Sequence, residues 1–261
     1  MNRSHSSDAT RMVEYEIRSG VAWIFLNRPE KLNAVNPQLV IELIESLETA
    51  SRNNVNAVVL AGRGDAFCSG YDLTQENGIR SEVEHRQQIE RLHDVTRIIR
   101  MAPFAVVASV HGYALGNGCE FALACDFIVA ADDVQFGFPE VQWGLGVTGG
   151  LTALLAESVG LHVAKSLILG TKRFSAGYAQ ELGLVSLITT RGELEDVTAE
   201  FAQGIASLPR NAFSRTKRLL NQPSDSALEI ACGLETVDAI AAQNDPQTKK
   251  HVDYYAESRR P

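Results

Sequence analysis

His111-Gly112-Tyr113-Ala114-Leu115-Gly116-Asn117-Gly118-Cys119-Glu120 is the stretch that decides the fold. Phe104 to Val110, just before it, is an apolar run of buried-strand length, and Gly112 to Gly118 reads as a glycine-rich turn. Cys119 to Ala124 then reads as a short helix and Phe127 to Ala130 as a further strand. The same unit precedes it: a buried strand at Ala57 to Ala61, a glycine-rich loop from Gly62 to Asp72, and a helical stretch carrying Ile89, Leu92, Val95 and Ile99. Strand, glycine loop and helix recurring in order predict an α/β fold.

Upstream, Met12 to Arg18 and Val21 to Leu26 alternate as strands around a Ser19-Gly20 turn, predicting a hairpin. Asn36 suits a helix N-cap and Pro37 its first turn, with Leu39, Val40, Leu43, Ile44 and Leu47 at helical spacing. Beyond about Thr148 strand signals fade, leaving Leu184 to Ile188 among helices at Arg191 to Leu208, Asn211 to Asn221 and Ala227 to Gln243. Pro209, Pro223 and Pro246 fall at expected helix boundaries. The expected division is a flexible N-terminus over 1–12, a core carrying the site over 13–200, and a helical C-terminal region over 201–261.

The net charge of −8 and pI near 5.3 argue against nucleic acid or an anionic membrane as partner, since both require a basic footprint. Cys68, Cys119, Cys125 and Cys232 form no CxxC pair, so reduced thiols in a cytoplasmic setting are expected. MNRSHSSDAT lacks the apolar stretch of a secretory signal, and Asp126 interrupts the longest apolar run.

Two loops carry the chemistry: Ala66-Phe67-Cys68-Ser69-Gly70-Tyr71-Asp72-Leu73 and the opening stretch. Glycine permits close main-chain approach, so paired loops can aim N–H groups at one point, and a helix start adds a favourable dipole. That is the makings of an oxyanion hole. Glu120 lies one turn into the helix, and Glu140 follows Pro139 after a short strand.

With Leu26-Asn27-Arg28-Pro29-Glu30-Lys31-Leu32-Asn33-Ala34, Phe136-Gly137-Phe138-Pro139-Glu140 and the segment Phe174 to Val185, these motifs resemble the enoyl-CoA hydratase/isomerase, or crotonase, superfamily. The likeness runs from about Val13 to Arg260. It implies a right-handed spiral of ββα units, a helical C-terminal region mediating trimer contacts, and a homotrimer or dimer of trimers. It maps the oxyanion N–H donors to Tyr71 and Asn117. Family members commonly have glycine at the second position, but the donor is backbone and asparagine tolerates such geometry. Hydratases of the family keep a catalytic pair where Glu120 and Glu140 stand.

Hydration needs a water deprotonated as it attacks C3 and a proton delivered to C2, which two carboxyl groups can divide. Glu120 is assigned to the water and Glu140 to the proton at C2. Coenzyme A is part of an acyl-CoA substrate, with no separate cofactor expected. Arg28 and Lys31 are candidates for its phosphates, with Lys217 or Arg218 reaching from the helical region. By resemblance the Lys31 to Ala34 stretch and the Asp72-Leu73 backbone flank adenine and pantetheine, and Ala66, Gly116 and Trp143 complete the substrate contacts. Tyr71, Phe138 and Trp143 suggest an aromatic acyl pocket.

A double-bond isomerase using mainly Glu140, another crotonase-type lyase or hydrolase, and a non-catalytic acyl-CoA-binding protein are the alternatives. Gly144-Leu145-Gly146-Val147-Thr148-Gly149 matches GxGxxG but follows no clear strand, so it reads as a turn into a helix beside the pocket. Cys68-Ser69-Gly70 lacks the G-x-S-x-G elbow. His85 and His93 lack helical metal spacing, and no metal is expected.

Overall fold

The computed structural model describes residues 11–75 and 81–258. The expected flexible N-terminus therefore lies, but for residues 11 and 12, outside the described residues. β1 (Val13–Arg18) and β2 (Val21–Leu26) form the expected hairpin, Val13 opposite Leu26. Ser19 and Gly20 between them take φ of 48° and 82°, the left-handed pair that matches the twist of a two-residue turn. α1 (Pro37–Arg52) begins as expected: the Asn36 side chain accepts the Leu39 N–H at 2.8 Å.

β3 (Ala57–Gly62), α2 (Glu82–Met101), β4 (Ala105–Val110), β5 (Tyr113–Leu115), α3 (Asn117–Ala124), β6 (Phe127–Ala131) and β7 (Gln135–Gly137) follow. Then come α4 (Leu151–Val159), α5 (Leu161–Leu169), β8 (Phe174–Ser175), α6 (Ala176–Glu181), β9 (Leu187–Thr189), α7 (Leu194–Ala206), α8 (Arg210–Asn244) and α9 (Pro246–Ser258). Six strands make the main sheet in the order β1-β2-β3-β4-β6-β9, parallel from β2 onward.

A second row runs beside it. The bridges Val35 to Tyr71 and Cys68 to Ala114 are parallel, β5 pairs in parallel with β7, and β7 closes antiparallel on β8. Each turn thus gives one strand to the main sheet and one extended segment to the second row before a helix, which makes the chain a spiral of ββα units. Among the described residues this second row is the main addition to what the sequence suggested, because its strands are two or three residues long and carry no legible alternation.

β2, β3 and β4 are buried on both faces. One face, with Ile24, Leu60, Val106 and Ile128, meets α1, α2 and α3; the other, with Trp23, Phe25, Val59 and Val107, is covered by α7 through Leu194 and Ala202. Parallel strands buried on both sides read as near-continuous apolar runs, as VAWIFL, AVVLAG and AVVASV do. The expected boundary at 200 falls inside α7, which belongs to the core it covers.

The helices expected at Asn211 to Asn221 and Ala227 to Gln243 are one, α8, which runs straight through Pro223. A proline here removes one helical hydrogen bond. Beside it the Asn221 carbonyl accepts from Arg100 Nη2 at 3.3 Å and from Ser224 Oγ at 2.9 Å, and the Asn221 amide donates to the Arg100 carbonyl at 3.0 Å. The two bonds with Arg100 tie this stretch of α8 to α2. α8 packs on α2 and α4, and α9 folds back over the turn after β7, where Thr248 Oγ1 donates to the Gly144 carbonyl at 2.9 Å.

Candidate active site

The two glycine loops lie side by side in register. Cys68 N–H donates to the Tyr113 carbonyl and Leu115 N–H to the Cys68 carbonyl, a parallel ladder centred on Cys68 and Ala114. Continued at the same offset, it sets Gly70 against Gly116 and Tyr71 against Asn117. On the far side, Val35 N–H donates to the Gly70 carbonyl and Asp72 N–H to the Val35 carbonyl, which fixes the peptide at Tyr71. Asn117 is the first residue of α3, whose first-turn N–H groups have no intrahelical acceptor.

Glycine at 116 is required by contact. Its φ is 50°, and a Cβ there would stand 2.5 Å from Glu140 Oε1. At Gly70 a Cβ would stand 2.9 Å from the Leu115 carbonyl oxygen. The close approach of the two loops to each other, and of the second loop to Glu140, therefore rests on missing side chains.

Glu120 is buried, and three donors converge on it: Thr148 N–H on Oε1 at 2.7 Å, and Thr148 Oγ1 and Asn117 Nδ2 on Oε2 at 2.7 and 2.6 Å. Burial raises its carboxyl above the usual range, and these three bonds pull the other way. Glu140 opens a short 3-10 turn, Glu140–Trp143, after β7. Its Oε2 is buried with no hydrogen-bond partner among the described residues. Burial, and then the charge of Glu120, push its carboxyl well above the usual range.

Both glutamates, Tyr71, Asn117 and Leu73 line one cavity of about 470 Å³. Its walls add Leu145 and Thr148 from the GxGxxG stretch, and residues that no motif had marked: Gln88, Ile89 and Leu92 from α2, Ala239 from α8, and Thr248, Lys249 and Val252 from α9. Tyr71 Oη accepts from Gln88 Nε2 across it. The GxGxxG stretch is, as read, a turn into α4 beside the pocket. The α2 and α9 contributions come from helices whose apolar spacing looks like ordinary core, whereas Leu145, Gly146 and Thr148 lay within the noted GxGxxG stretch.

Other expected contacts are placed elsewhere. Arg28 is buried, with Nη1 on the Ala34 carbonyl at 2.5 Å and Nη2 on Asp72 Oδ2 at 3.1 Å. It braces the two loops, and Asp72 spends its other oxygen on Thr74. Ala66 is buried, its carbonyl taken by Asn33 Nδ2 at 2.8 Å. Lys31 is exposed outside the cavity wall, as is Arg218 on α8. Lys217 is buried: Nζ donates to Asp126 Oδ2 and the Ile99 carbonyl, both at 2.7 Å, and to the Phe104 carbonyl at 3.1 Å. An ammonium so enclosed is not at the cavity, and burial lowers its pKa. Of the aromatic trio only Tyr71 lines the cavity; Phe138 packs on Phe174 in the core, and Trp143 stands outside the lining.

Behind the glutamates, His93 Nδ1 accepts the Gly149 N–H at 3.1 Å, so its proton sits on Nε2, which faces Thr236 Oγ1 at 3.1 Å. Burial holds its pKa down to about 4. Glu235 from α8 caps the start of α4, accepting from Gly150 N–H at 2.8 Å, Thr152 N–H at 3.0 Å and Thr152 Oγ1 at 2.7 Å. Burial raises its pKa to about 7. His93, Cys232 and Glu235 lie close enough to share an ion, but the imidazole and carboxylate already hold this turn.

The fold is one of ββα turns, with two facing glycine loops and a pair of carboxyl groups on one cavity. The enoyl-CoA hydratase/isomerase family description matches residues 16–261, and the chain belongs to that family, within the crotonase superfamily. A probable enoyl-CoA hydratase of Mycobacterium bovis is 34% identical over 211 residues, 81% of this chain and 82% of its own. A crystal structure of an enoyl-CoA hydratase/isomerase from Xanthobacter autotrophicus Py2 superposes with TM-score 0.84 at 31% identity, covering 96% of this chain and 98% of that one. An enoyl-CoA hydratase from Mycobacterium avium subsp. paratuberculosis gives 0.85 at 27%, covering 93% and 98%.

Proposed function

We propose that the chain is an enoyl-CoA hydratase, a carbon–oxygen lyase that adds water syn across the double bond of a 2-enoyl-CoA. The observation that carries this reading is two buried carboxyls of unequal environment facing one cavity, one held by three donors and one with a partnerless oxygen. Unequal carboxyls suit a base and an acid acting in the same step. The thioester oxygen becomes an enolate between the Tyr71 and Asn117 N–H groups. Glu120 takes a proton from the attacking water, and Glu140 delivers one to C2. An oxyanion donor is worth about 3 kcal/mol of barrier, or on the order of a hundredfold in rate.

Coenzyme A enters as part of the substrate and no cofactor is needed. Among the described residues lining the cavity, Lys249 is the one lysine or arginine, and it replaces Lys217 as the cation that meets the anionic end of the ligand. Assembly as a homotrimer or dimer of trimers accounts for the apolar residues that α8 leaves outward. Four free cysteines suit the reducing cytoplasm, and no helix among the described residues is long and apolar enough to cross a membrane.

The unpartnered Glu140 oxygen also favours a second reading, a double-bond isomerase in which Glu140 alone moves a proton. Incubation with crotonyl-CoA and longer 2-enoyl-CoAs tests the first: the conjugated-thioester absorbance falls, and Glu120→Gln or Glu140→Gln abolishes the fall. No turnover of any 2-enoyl-CoA, with 3-enoyl-CoA gaining conjugation instead, makes it an isomerase. Coenzyme A binding with all rates unchanged in both variants makes it a binding protein.

A further inference from the structure

We propose that Asn117 is a positioning residue whose side-chain amide, together with the Thr148 hydroxyl, holds Glu120 as the anion and so leaves the proton of the carboxyl pair on Glu140. The inference rests on the hydratase reading for its kinetic arm, and on geometry for the rest.

Asn117 Nδ2 reaches Glu120 Oε2 at 2.6 Å and Thr148 Oγ1 at 2.9 Å, while Thr148 Oγ1 reaches Glu120 Oε2 at 2.7 Å. The directions follow from the chemistry: the amide nitrogen only donates, so the hydroxyl accepts from it and turns its own hydrogen to the carboxylate. Oε1 meanwhile takes the Thr148 N–H at 2.7 Å. A proton added to Oε2, which already takes two donors, would forfeit a hydrogen bond, and one added to Oε1 would weaken the bond from the Thr148 N–H. Glu140 is the reverse case, because a buried oxygen with no donor favours the neutral acid.

The side chain is available for this task because the main chain at 117 is fixed independently by the start of α3 and the ladder through Cys68 and Ala114. A glycine at 117 would leave Thr148 alone on Glu120. The other titratable groups around Glu120 are Glu140 across the cavity, Glu235 from α8, Cys68 in the first loop, Cys119 beside Glu120 on α3, and His93 behind Gly149. Among them there is no lysine or arginine to hold the charge in the amide's place.

The test uses Asn117→Ala, which keeps the backbone N–H, with Thr148→Val as a second variant. One lost hydrogen bond to a charged group should move the acid limb of the kcat/KM–pH profile upward by about one to two units. Thr148→Val should move it the same way, and Thr148→Ser should restore it. Infrared difference spectra on the substrate-free protein supply an arm that needs no turnover. Recorded above the range in which Glu235 titrates, the protonated-carboxyl band should vanish in Glu140→Gln and persist in Glu120→Gln. A lower kcat with an unmoved pH profile, or a band that vanishes in Glu120→Gln instead, overturns the proposal. A wild type that hydrates nothing but gives the expected band pattern refutes the hydratase reading and leaves the carboxyl assignment standing.

Discussion

Gly116 holds φ at 50° and ψ at −124°, a backbone combination closed to side chains, directly beside Glu140 Oε1. Gly116→Ala must either strain that backbone or push Glu140 aside. The expected outcome is a kcat/KM loss of about a hundredfold or more on crotonyl-CoA, as for a lost oxyanion donor, with the circular dichroism spectrum retained. At this scale the sequence was readable where chemistry depends on residue type in a short motif. Glu120, Glu140, Tyr71 and Asn117 do meet at one cavity. The basic residues were not readable, since a lysine in a string looks alike whether it faces phosphate or, like Lys217, caps a helix end and pairs with Asp126.

Two element-level contacts carry measurable consequences. Lys217 and Asp126 tie α8 to the start of β6 and, through the Val106 N–H at 2.8 Å, to β4. Lys217→Met leaves a buried carboxylate unpaired, and urea titration should show a loss of about 3 to 5 kcal/mol. Adding Asp126→Asn should recover part of it. Beneath the catalytic turn, Glu235 titrates at about 7 when folded against an ordinary carboxyl value when unfolded. The folded state binds the extra proton, so this residue's contribution is full at acid pH and is lost as pH rises from about 4.5 through about 7. His93, held to about 4, acts oppositely: its penalty appears as pH falls from about 6.5 toward 4. Urea midpoints across this range should show Glu235→Gln gaining on the wild type by up to about 3 kcal/mol as pH rises. A constant gap would refute it. Neither contact was legible beforehand, because each joins residues far apart in sequence through helices whose packing partners the pattern does not name.

For the whole molecule, the repeat of strand, glycine loop and helix pointed to the α/β class, the spiral was implied by the family resemblance alone, and the apolar runs marked strands buried on both faces. The second row of short strands and the passage of α8 through Pro223 needed the tertiary structure, since cross-element hydrogen bonds override the local signal. α8 also keeps Leu219, Ile230, Leu234 and Val237 at helical spacing and 60–67% exposed. Burying such side chains is worth about 1.5 to 3 kcal/mol each, enough together to hold subunits. Sedimentation should find the wild type as a trimer or hexamer and Ile230→Glu/Leu234→Glu as monomer. A monomeric wild type would refute assembly through this face.

The ladder joining Cys68 to Ala114 has one more consequence. It sets the Tyr71 and Asn117 amides side by side by counting residues along two neighbouring segments, so insertions and deletions threaten that alignment more than point changes do. Removing a single residue between Cys68 and Tyr71 would slide one amide out of step with its partner, however conservative the remaining side chains. Replacements at 117, by contrast, keep the main-chain alignment and change only what the side chain gives to Glu120.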